Sequence, residues 1–391
     1  MSLASFLGLK RNTTLLLITI IFASTGERLW LGFAPKYLEY MGGGILLIGI
    51  FDALQTLLSA LYAYPGAWLT DRFGQRKSFL ILTILSLVGY ILVLSWQSSY
   101  SLLIGTFFFV AWSALSLPTT FSVVATSLRQ EKITMGIGVQ SMVRRVPMII
   151  GPLVGGFLIS LYGWQDGIRY ALVLCVLLCV IAFLLQYGMA DDNASGAFTP
   201  QASFLKILKA FPTELKELLI SDILIRFCER IPYAFVILWA INHHGITPKE
   251  FGVLTAIEMA TAMLCYIPVA HLADKYGQRP FILATFVFFS LFPVALMFSS
   301  GFVLFAIVFS IRGLKEFGEP ARKALIIKYS PAHLKSSAYG VYYLIRDCTV
   351  TAGSFLGAFL WSISPLANFL GAALCGIMGT AWFYFSIMRK K

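Results

Sequence analysis

A short polar segment occurs twice in this 391-residue chain, each time between two long apolar runs. Residues 65–76 and 268–279 share Pro, Ala, Leu and Asp at the same positions, and both end in Gly-Gln-Arg. The copies are offset by 203 residues, about half of the chain. A duplication with a charged turn at the same place in each copy is typical of a membrane transporter built from two pseudo-symmetric halves.

The composition favours a protein that lies within a membrane. Hydrophobic residues make up 58% of the chain and charged residues 12%, which is too little charge to cover a soluble protein of this length. A membrane-spanning helix needs about 20 mostly apolar residues. Twelve segments meet this requirement and are numbered here as predicted helices 1 to 12: 13–37, 43–70, 77–97, 100–126, 136–163, 168–190, 217–243, 250–273, 280–299, 302–327, 336–363 and 365–388. The sequence therefore predicts an all-α membrane protein.

A polar stretch near the middle of the chain divides these helices into two sets of six. We therefore predict an N-terminal six-helix bundle over 1–190, a cytoplasmic linker over 191–216 and a C-terminal six-helix bundle over 217–391. From Phe204 to Leu219, lysines alternate with apolar residues. This pattern indicates a short amphipathic helix on the membrane surface, with a solvated linker as the alternative.

The distribution of basic residues predicts the orientation of the chain. The formal net charge is +12, but with a cytoplasmic N-terminus only Lys36, Arg169 and Lys249 fall in outside loops. This asymmetry follows the positive-inside rule and places both termini in the cytoplasm. The basic charge is thus explained by topology, and we expect no nucleic-acid partner.

The two halves align well beyond the duplicated loop. Glu27-Arg28 of predicted helix 1 matches Glu229-Arg230 of helix 7 at an offset of 202. Gln55 of helix 2 falls on Glu258 of helix 8, and Arg144 of helix 5 falls on Arg346 of helix 11. Since each half has six helices, the second repeats the first in the same orientation, as in parallel-repeat transporters.

The duplicated loop resembles the signature loop of the major facilitator superfamily. The matching residues are Asp71, Arg72, Gly74 and Arg76 in the first copy and Asp274, Lys275, Gly277 and Arg279 in the second. Ala67 and Ala270 replace the glycine with which the family pattern begins. The resemblance covers nearly the whole chain. It implies twelve helices in two pseudo-symmetric six-helix bundles and transport by alternating access.

Predicted helix 5 resembles a second motif, found in proton-coupled drug and metabolite exporters of the same superfamily. Its residues are Gly138, Gly151, Pro152, Gly155 and Gly156, with Pro147 where another glycine is expected. The resemblance implies export by H⁺ antiport. The alternative is that these small residues only allow close helix packing.

Charged residues within the apolar segments give the candidate site. Each costs about 2.5–3.5 kcal/mol in hydrocarbon, so such residues must pair or face a wet cavity. The candidate residues for substrate binding and proton coupling are Glu27, Arg28, Asp52, Arg144, Arg145, Glu229, Arg230, Glu258, Arg346 and Asp347. A rise of about 1.5 Å per residue places several of them near the membrane midplane. Our hypothesis is that Glu27, Glu229 or Glu258 carries the proton and that arginines are charge partners or anion ligands.

Two further expectations concern charges outside this set. Arg312 and Glu316, like Lys315 and Glu319, are spaced i,i+4 and are expected to pair locally. In the duplicated loop, Asp71 is expected to accept hydrogen bonds from a helix N-terminus. With Arg72 and Arg76 paired to nearby acids, it would hold the cytoplasmic side closed.

The function expected from these features is proton-coupled export of a drug, siderophore or other metabolite, and the arginines suggest an anionic substrate. The alternatives are a symporter that imports a polar metabolite and a lipid or amphiphile flippase of the same fold. We expect no enzyme activity, no metal and no cofactor, with the proton gradient as the energy source. The expected partners are the substrate, protons and the lipid bilayer. The expected setting is a monomer in a bacterial inner membrane.

Overall fold

Long helices joined by short turns make up the chain in a computed structural model, which describes residues 11–127, 133–189, 204–331 and 334–389. The helices are α1 (Arg11–Trp30), α2 (Ile45–Phe73), α3 (Gln75–Ser95), α4 (Ser99–Ser127), α5 and α6 (together Ile133–Tyr187), α7 (Thr213–Tyr233), α8 (Pro248–Tyr276), α9 (Gln278–Met297), α10a (Gly301–Leu314), α10b (Glu319–Tyr329), α11 (Lys335–Ile363) and α12 (Pro365–Phe383). They match the twelve predicted helices one for one, and the described residues contain no strand. The all-α fold is confirmed.

Three glycines with positive φ separate successive helices. Gly163, with φ 79°, interrupts Ile133–Tyr187 and divides α5 from α6. Gly74 and Gly277 have φ 77° and 88° and stand between α2 and α3 and between α8 and α9. With ψ near 180°, these dihedrals are essentially restricted to glycine. The glycine of the duplicated loop is therefore required by the turn itself.

Several predicted helices are less regular than their apolar runs suggest. After α1 the chain forms a 3₁₀ turn, Leu31–Phe33, and a short helix, Ala34–Tyr40. After α7 it forms Val236–Leu238 and a π-helix, Trp239–His243. A second π-helix, Tyr384–Met388, follows α12. Within the stretch from Phe204 to Leu219 predicted as one amphipathic helix, Phe204–Lys209 is a separate short helix, and α7 begins at Thr213.

Predicted helix 10 is broken in its middle. Pro320 lies in the first turn of α10b, where its missing N–H is tolerated. Within the break, the backbone N–H of Gly318 donates to Thr285 Oγ1 at 2.9 Å. A side chain on Gly318 would collide with Thr285. The break is therefore packed closely against α9.

The chain divides into two compact units, Met1–Gly42 with Leu58–Thr199 and Gly43–Leu57 with Pro200–Lys391. The core of the first unit includes Phe79, Trp112 and Ala182, and that of the second includes Phe286, Tyr342 and Phe383. Residues 43–57 thus group with the second unit, although the predicted boundary assigned them to the first bundle. The reason is close packing, since a Cβ on Gly49 would lie 2.5 Å from the Cβ of Ala358.

Six segments of the described helices are long and apolar enough to cross a membrane. They come from α1, α2, α3, α5 with α6, α9 and α12. The segments do not include α7 or α11, in which charged side chains interrupt the apolar sequence. With the twelve-helix fold, they indicate an integral, multi-pass membrane protein.

The same close helix contact occurs once in each repeat. A Cβ added at Gly155 of α5 would collide with the carbonyl oxygen of Leu29 in α1. A Cβ added at Gly357 of α11 would collide with the carbonyl oxygen of Ile231 in α7. Both pairs are related by the offset of 202, so the repeat found in the sequence extends to backbone packing.

Gly155→Ala should destabilise the protein, because the methyl group meets backbone rather than a movable side-chain end. Overpacking of this kind costs about 1–3 kcal/mol, and we expect a lower thermal unfolding midpoint for the purified protein in lipid nanodiscs. Gly340→Ala is the matched control, since a Cβ at this helical glycine meets nothing within 4 Å. Alanine favours a helix over glycine, so the control should be neutral or slightly stabilising. Equal losses in the two variants would contradict the close-packing explanation.

Candidate functional site

A small cavity in the first unit brings together three of the predicted site residues. It is lined from α1, α4 and α5 by Ile20, Ser24, Glu27, Arg28, Ser113, Arg144 and Met148. Glu27 is only 4% exposed. The cavity therefore presents one carboxyl group and two guanidinium groups in an otherwise apolar and hydroxyl-lined space.

The glycines of α5 set the position of this cavity. A Cβ on Gly151 would lie 2.5 Å from the Cβ of Arg28, and Gly155 meets Leu29 one turn further along. The motif that resembles an exporter signature thus brings α5 against α1 directly beside Glu27. Pro147 and Pro152 lie within the same helix, and Gly138 lies in a part of α5 whose packing is outside the described contacts.

The charged groups of this cavity lack close ionic partners. Within the described residues, no carboxylate oxygen lies within 4.0 Å of the Arg28 or Arg144 guanidinium group. Both arginines still act on Glu27 through their charge. Since unpaired charge inside a membrane is costly, such groups are suited to a ligand or proton that completes their pairing.

A buried ion cluster in the second unit surrounds Asp222 of α7, which is 0% exposed. Its Oδ1 accepts from Arg322 of α10b, and its Oδ2 accepts from the Tyr342 hydroxyl at 3.2 Å. The same Oδ2 lies 3.3 Å from Nη1 of Arg346, whose Nε donates to Asp347 at 2.7 Å. Here each charge has a partner, so Arg346 and Asp347 serve a structural network.

A second cluster of this unit joins α7, α8 and α10a. The Lys315 ammonium group lies 2.7 Å from Glu229 Oε1 and 3.7 Å from Glu258 Oε1. Glu229 also accepts from Arg226 at 2.6 Å, and Glu258 lies 3.2 Å from Arg312 Nε. Both carboxylates, proposed in the sequence as proton carriers, are therefore neutralised by cations of the chain itself.

The local pairing predicted along helix 10 is wrong. Lys315 pairs with Glu229 and Glu258 of other helices, and Glu319 pairs with Lys323, Arg322 and Arg226 at 3.1, 3.0 and 3.4 Å. Arg312 likewise turns to Glu258 of α8. The reason is the break between α10a and α10b, which removes the regular helix that i,i+4 pairing requires.

Asp52 is a further predicted site residue with a structural partner set. Its Oδ1 accepts from Arg230 of α7 at 3.0 Å, and its Oδ2 accepts from Ser354 of α11 at 2.5 Å. These bonds attach residues 43–57 of α2 to the second unit. Arg145, next to Arg144, is not among the residues that line the cavity.

The duplicated loop makes aromatic and backbone contacts. Arg76 donates to the backbone oxygen of Tyr187 at 2.8 Å, and Arg279 donates to the hydroxyl group of Tyr329 at 3.3 Å. Arg72 lies 5.1 Å from the ring centroid of Trp68, and Lys275 lies 5.3 Å from that of the adjacent Tyr276. The side chains of Asp71 and Asp274 are outside the described part, so the closing role of this loop stays a prediction.

Sequence reasoning missed the uncharged residues of the cavity, above all Ser113 of α4. A search for intramembrane charges passes over a serine, and nothing in its neighbours marks it. The signal that finds it is the internal repeat, because the offset of 202 that relates Glu27 to Glu229 also relates Ser113 to Lys315.

Comparison with known proteins gives matches over most of the chain. The family model described as Major Facilitator Superfamily matches residues 16–228 and 218–391. An uncharacterized MFS-type transporter of Methanocaldococcus jannaschii is 21% identical over 95% of this chain and 94% of its own length. A multi-drug resistance efflux pump PmrA homolog of Lactococcus lactis subsp. lactis is 23% identical over 98% of this chain and 97% of its own length.

Solved structures share the fold at much lower sequence identity. A mutant form of the nucleoside transporter NupG superposes with a TM-score of 0.80 at 12% identity. The match covers 96% of this chain and 99% of that structure.

Asp222→Ala should strongly destabilise the protein, because it leaves Arg322 and Arg346 buried without their carboxylate. Breaking a buried ion pair from one side costs about 3–5 kcal/mol, so we expect a large fall in the thermal unfolding midpoint. Asp347→Ala is the control, because this aspartate also pairs with Arg346 but its side chain is 30% exposed. If Asp347→Ala lowered the unfolding midpoint as much as Asp222→Ala, the greater importance of the buried carboxylate would be refuted.

Proposed function

Because the chain belongs to the Major Facilitator Superfamily, we propose that it is a proton-coupled secondary active transporter that works by alternating access. Its proposed action is the export of a small organic molecule by H⁺ antiport. Family members and the structural relatives of this chain are transporters and not enzymes. The chemistry that the site must provide is thus the coupling of substrate binding to proton binding.

The proposal rests on the surroundings of Glu27, which differ from those of the other two candidate proton carriers. Of the three carboxylates considered as proton carriers, Glu229 and Glu258 each have cations of the chain within 4.0 Å. Glu27 instead lines a cavity with Arg28 and Arg144. A carboxyl group that is buried, lines a cavity and has no fixed counter-ion among the described residues can exchange a proton during a transport cycle.

Export rather than import is supported by two observations. The glycine motif of α5 packs against α1 beside Glu27, and it resembles a motif of proton-coupled exporters. The relative from Lactococcus lactis is named as a multi-drug resistance efflux pump. We therefore propose a drug, siderophore or other metabolite as substrate, and an anionic group on it would lie against Arg28 and Arg144.

The proposed setting follows the basic residues of the loops. Both termini lie in the cytoplasm in this proposal, and the membrane is a bacterial inner membrane. The protein acts as a monomer with the proton gradient as its energy source. Import by symport and lipid or amphiphile transport are the two other functions that the test must separate from export.

The test is proton movement in proteoliposomes under an imposed pH gradient, with a panel of drugs, siderophores and organic anions. Substrate movement opposite to proton movement supports antiport. Movement in the same direction replaces it with symport. Activity restricted to lipid-like compounds replaces it with flipping.

Glu27→Gln should abolish transport driven by the pH gradient, because glutamine has a similar shape but cannot take up a proton. Exchange of substrate for substrate across the membrane needs no net proton transfer, so it should persist at saturating substrate even if the variant binds the substrate less tightly. Glu250→Gln is the control, since Glu250 serves the capping box at the start of α8, with Thr247. Normal gradient-driven transport by Glu27→Gln would refute the assignment of Glu27.

A further inference from the structure

The residues that line the cavity at Glu27 correspond to residues of the second repeat at one constant offset in the sequence. Three of its lining residues have identical partners at the offset of 202: Glu27 with Glu229, Arg28 with Arg230 and Arg144 with Arg346. Both arginines face a glycine of the neighbouring helix, because a Cβ on Gly151 would lie 2.5 Å from the Cβ of Arg28 and one on Gly353 would lie 3.3 Å from that of Arg230. The two sites can therefore be compared residue by residue.

The repeats differ at four lining positions. Met148 with Val350 keeps an apolar side chain, and the other three differences introduce charge in the second repeat. The pairs are Ile20 with Asp222, Ser24 with Arg226 and Ser113 with Lys315. The first repeat thus has a cavity where the second has three additional ionisable side chains. The contacts of those side chains show which charged groups occupy the corresponding positions of the second repeat.

The second repeat supplies an ammonium group to its glutamate. Lys315 Nζ lies 2.7 Å from Glu229 Oε1, and Lys315 is 5% exposed. In the first repeat the corresponding residues are Ser113 and Glu27, which line the same cavity. A serine cannot neutralise a carboxylate, so in the part of the chain that the structure describes an ammonium group is missing at Glu27.

The second repeat also supplies a carboxylate to its arginine. Arg346 Nη1 lies 3.3 Å from Asp222 Oδ2. The corresponding residues in the first repeat are Arg144 and Ile20, and Ile20 offers only hydrocarbon. Among the described residues, a carboxylate is therefore missing at Arg144, and both absent charges belong to one cavity.

We propose that this cavity binds a zwitterionic small molecule that carries an ammonium group and a carboxylate. The ammonium group pairs with Glu27 as Lys315 pairs with Glu229, and the carboxylate pairs with Arg144 as Asp222 pairs with Arg346. Ile20 and Met148 contact the apolar part of the molecule. This inference rests on the proposed function, in which Glu27 exchanges a proton. An ammonium group and a proton then exclude one another at Glu27, as antiport requires.

Matched compounds that differ only in charged groups test the proposal. The sets are alanine with propionate and ethylamine, leucine with 4-methylpentanoate and isopentylamine, and phenylalanine with 3-phenylpropionate and phenethylamine. Binding to the full chain in nanodiscs is measured from the ligand-dependent rise in the unfolding midpoint. We expect at least one amino acid to bind about tenfold more tightly than both of its single-charge analogues. Its binding should weaken as the pH falls, because a protonated Glu27 does not attract an ammonium group.

Variants that copy the second repeat test the assignment of the residues. Ile20→Asp places a carboxylate beside Arg144 and should weaken amino-acid binding about tenfold. Ile20→Asn, whose side chain has the shape of aspartate but no charge, should change the binding little. Ser113→Lys places an ammonium group beside Glu27 and should weaken binding by at least as much, with Ser113→Ala as its control. The ligand-free unfolding midpoint of each variant shows whether it is folded, and the Asp and Asn variants can be compared even if the lysine variant is unstable.

Three results would overturn the proposal. They are equal binding of a single-charge analogue, absence of binding by every amino acid at millimolar concentration, and equal effects of Ile20→Asp and Ile20→Asn. Binding is measured without a pH gradient, so these results are independent of proton coupling. Selective amino-acid binding without proton movement would remove the proposed antiport and leave the zwitterion site in place.

Discussion

The high cost of unpaired charge inside a membrane is the constraint on which this structure depends. The second unit meets it with cations and carboxylates of its own, as at Asp222, which has Arg322 and Arg346 as partners. The first unit leaves Glu27 and Arg144 around a cavity without such close pairs among the described residues. Within the described residues, one repeat therefore has an ionic core paired within the chain, and the other has a site whose charges we propose a ligand completes. The charged side chains account for this difference at the site, where the close contact of Gly155 with Leu29 is repeated by that of Gly357 with Ile231.

Much of the fold could be predicted because its signals are local. Apolar runs give the twelve helices, and the turn glycines Gly74 and Gly277 have positive φ, as their repeated loop requires. The candidate site was predictable only in part. Intramembrane charge marked Glu27, Arg28 and Arg144, but Ser113 carries no such mark. The partners of Lys315 were mispredicted, because the break after α10a is a tertiary feature in which Gly318 packs against Thr285. Sequence spacing describes neighbours on a regular helix and cannot show which helix a side chain will meet.

The duplication supplies information that neither repeat contains alone. Because Glu229 and Arg346 occupy the positions of Glu27 and Arg144, their bound partners report the chemistry that such positions accept. Lys315 and Asp222 thus supply, within the chain, the two charged groups that we propose a ligand supplies in the first repeat. A gene duplication that first produced two equal sites would make one of them redundant, and internal counter-ions are a simple way to fill it.

The charge of the substrate decides the direction of coupling. An anion that binds Arg28 and Arg144 draws their charge away from Glu27 and so favours its protonation, which makes proton and substrate bind together. That linkage leads to symport. An ammonium group in direct contact with Glu27 has the opposite effect, because it occupies the place of the proton. In a zwitterion both effects act, and the direct contact is the stronger because electrostatic energy falls with distance. The presence of Lys315 at the equivalent glutamate therefore supports the proposed antiport, and it connects the glycine motif of α5, which resembles an exporter signature, to the chemistry of the cavity beside it.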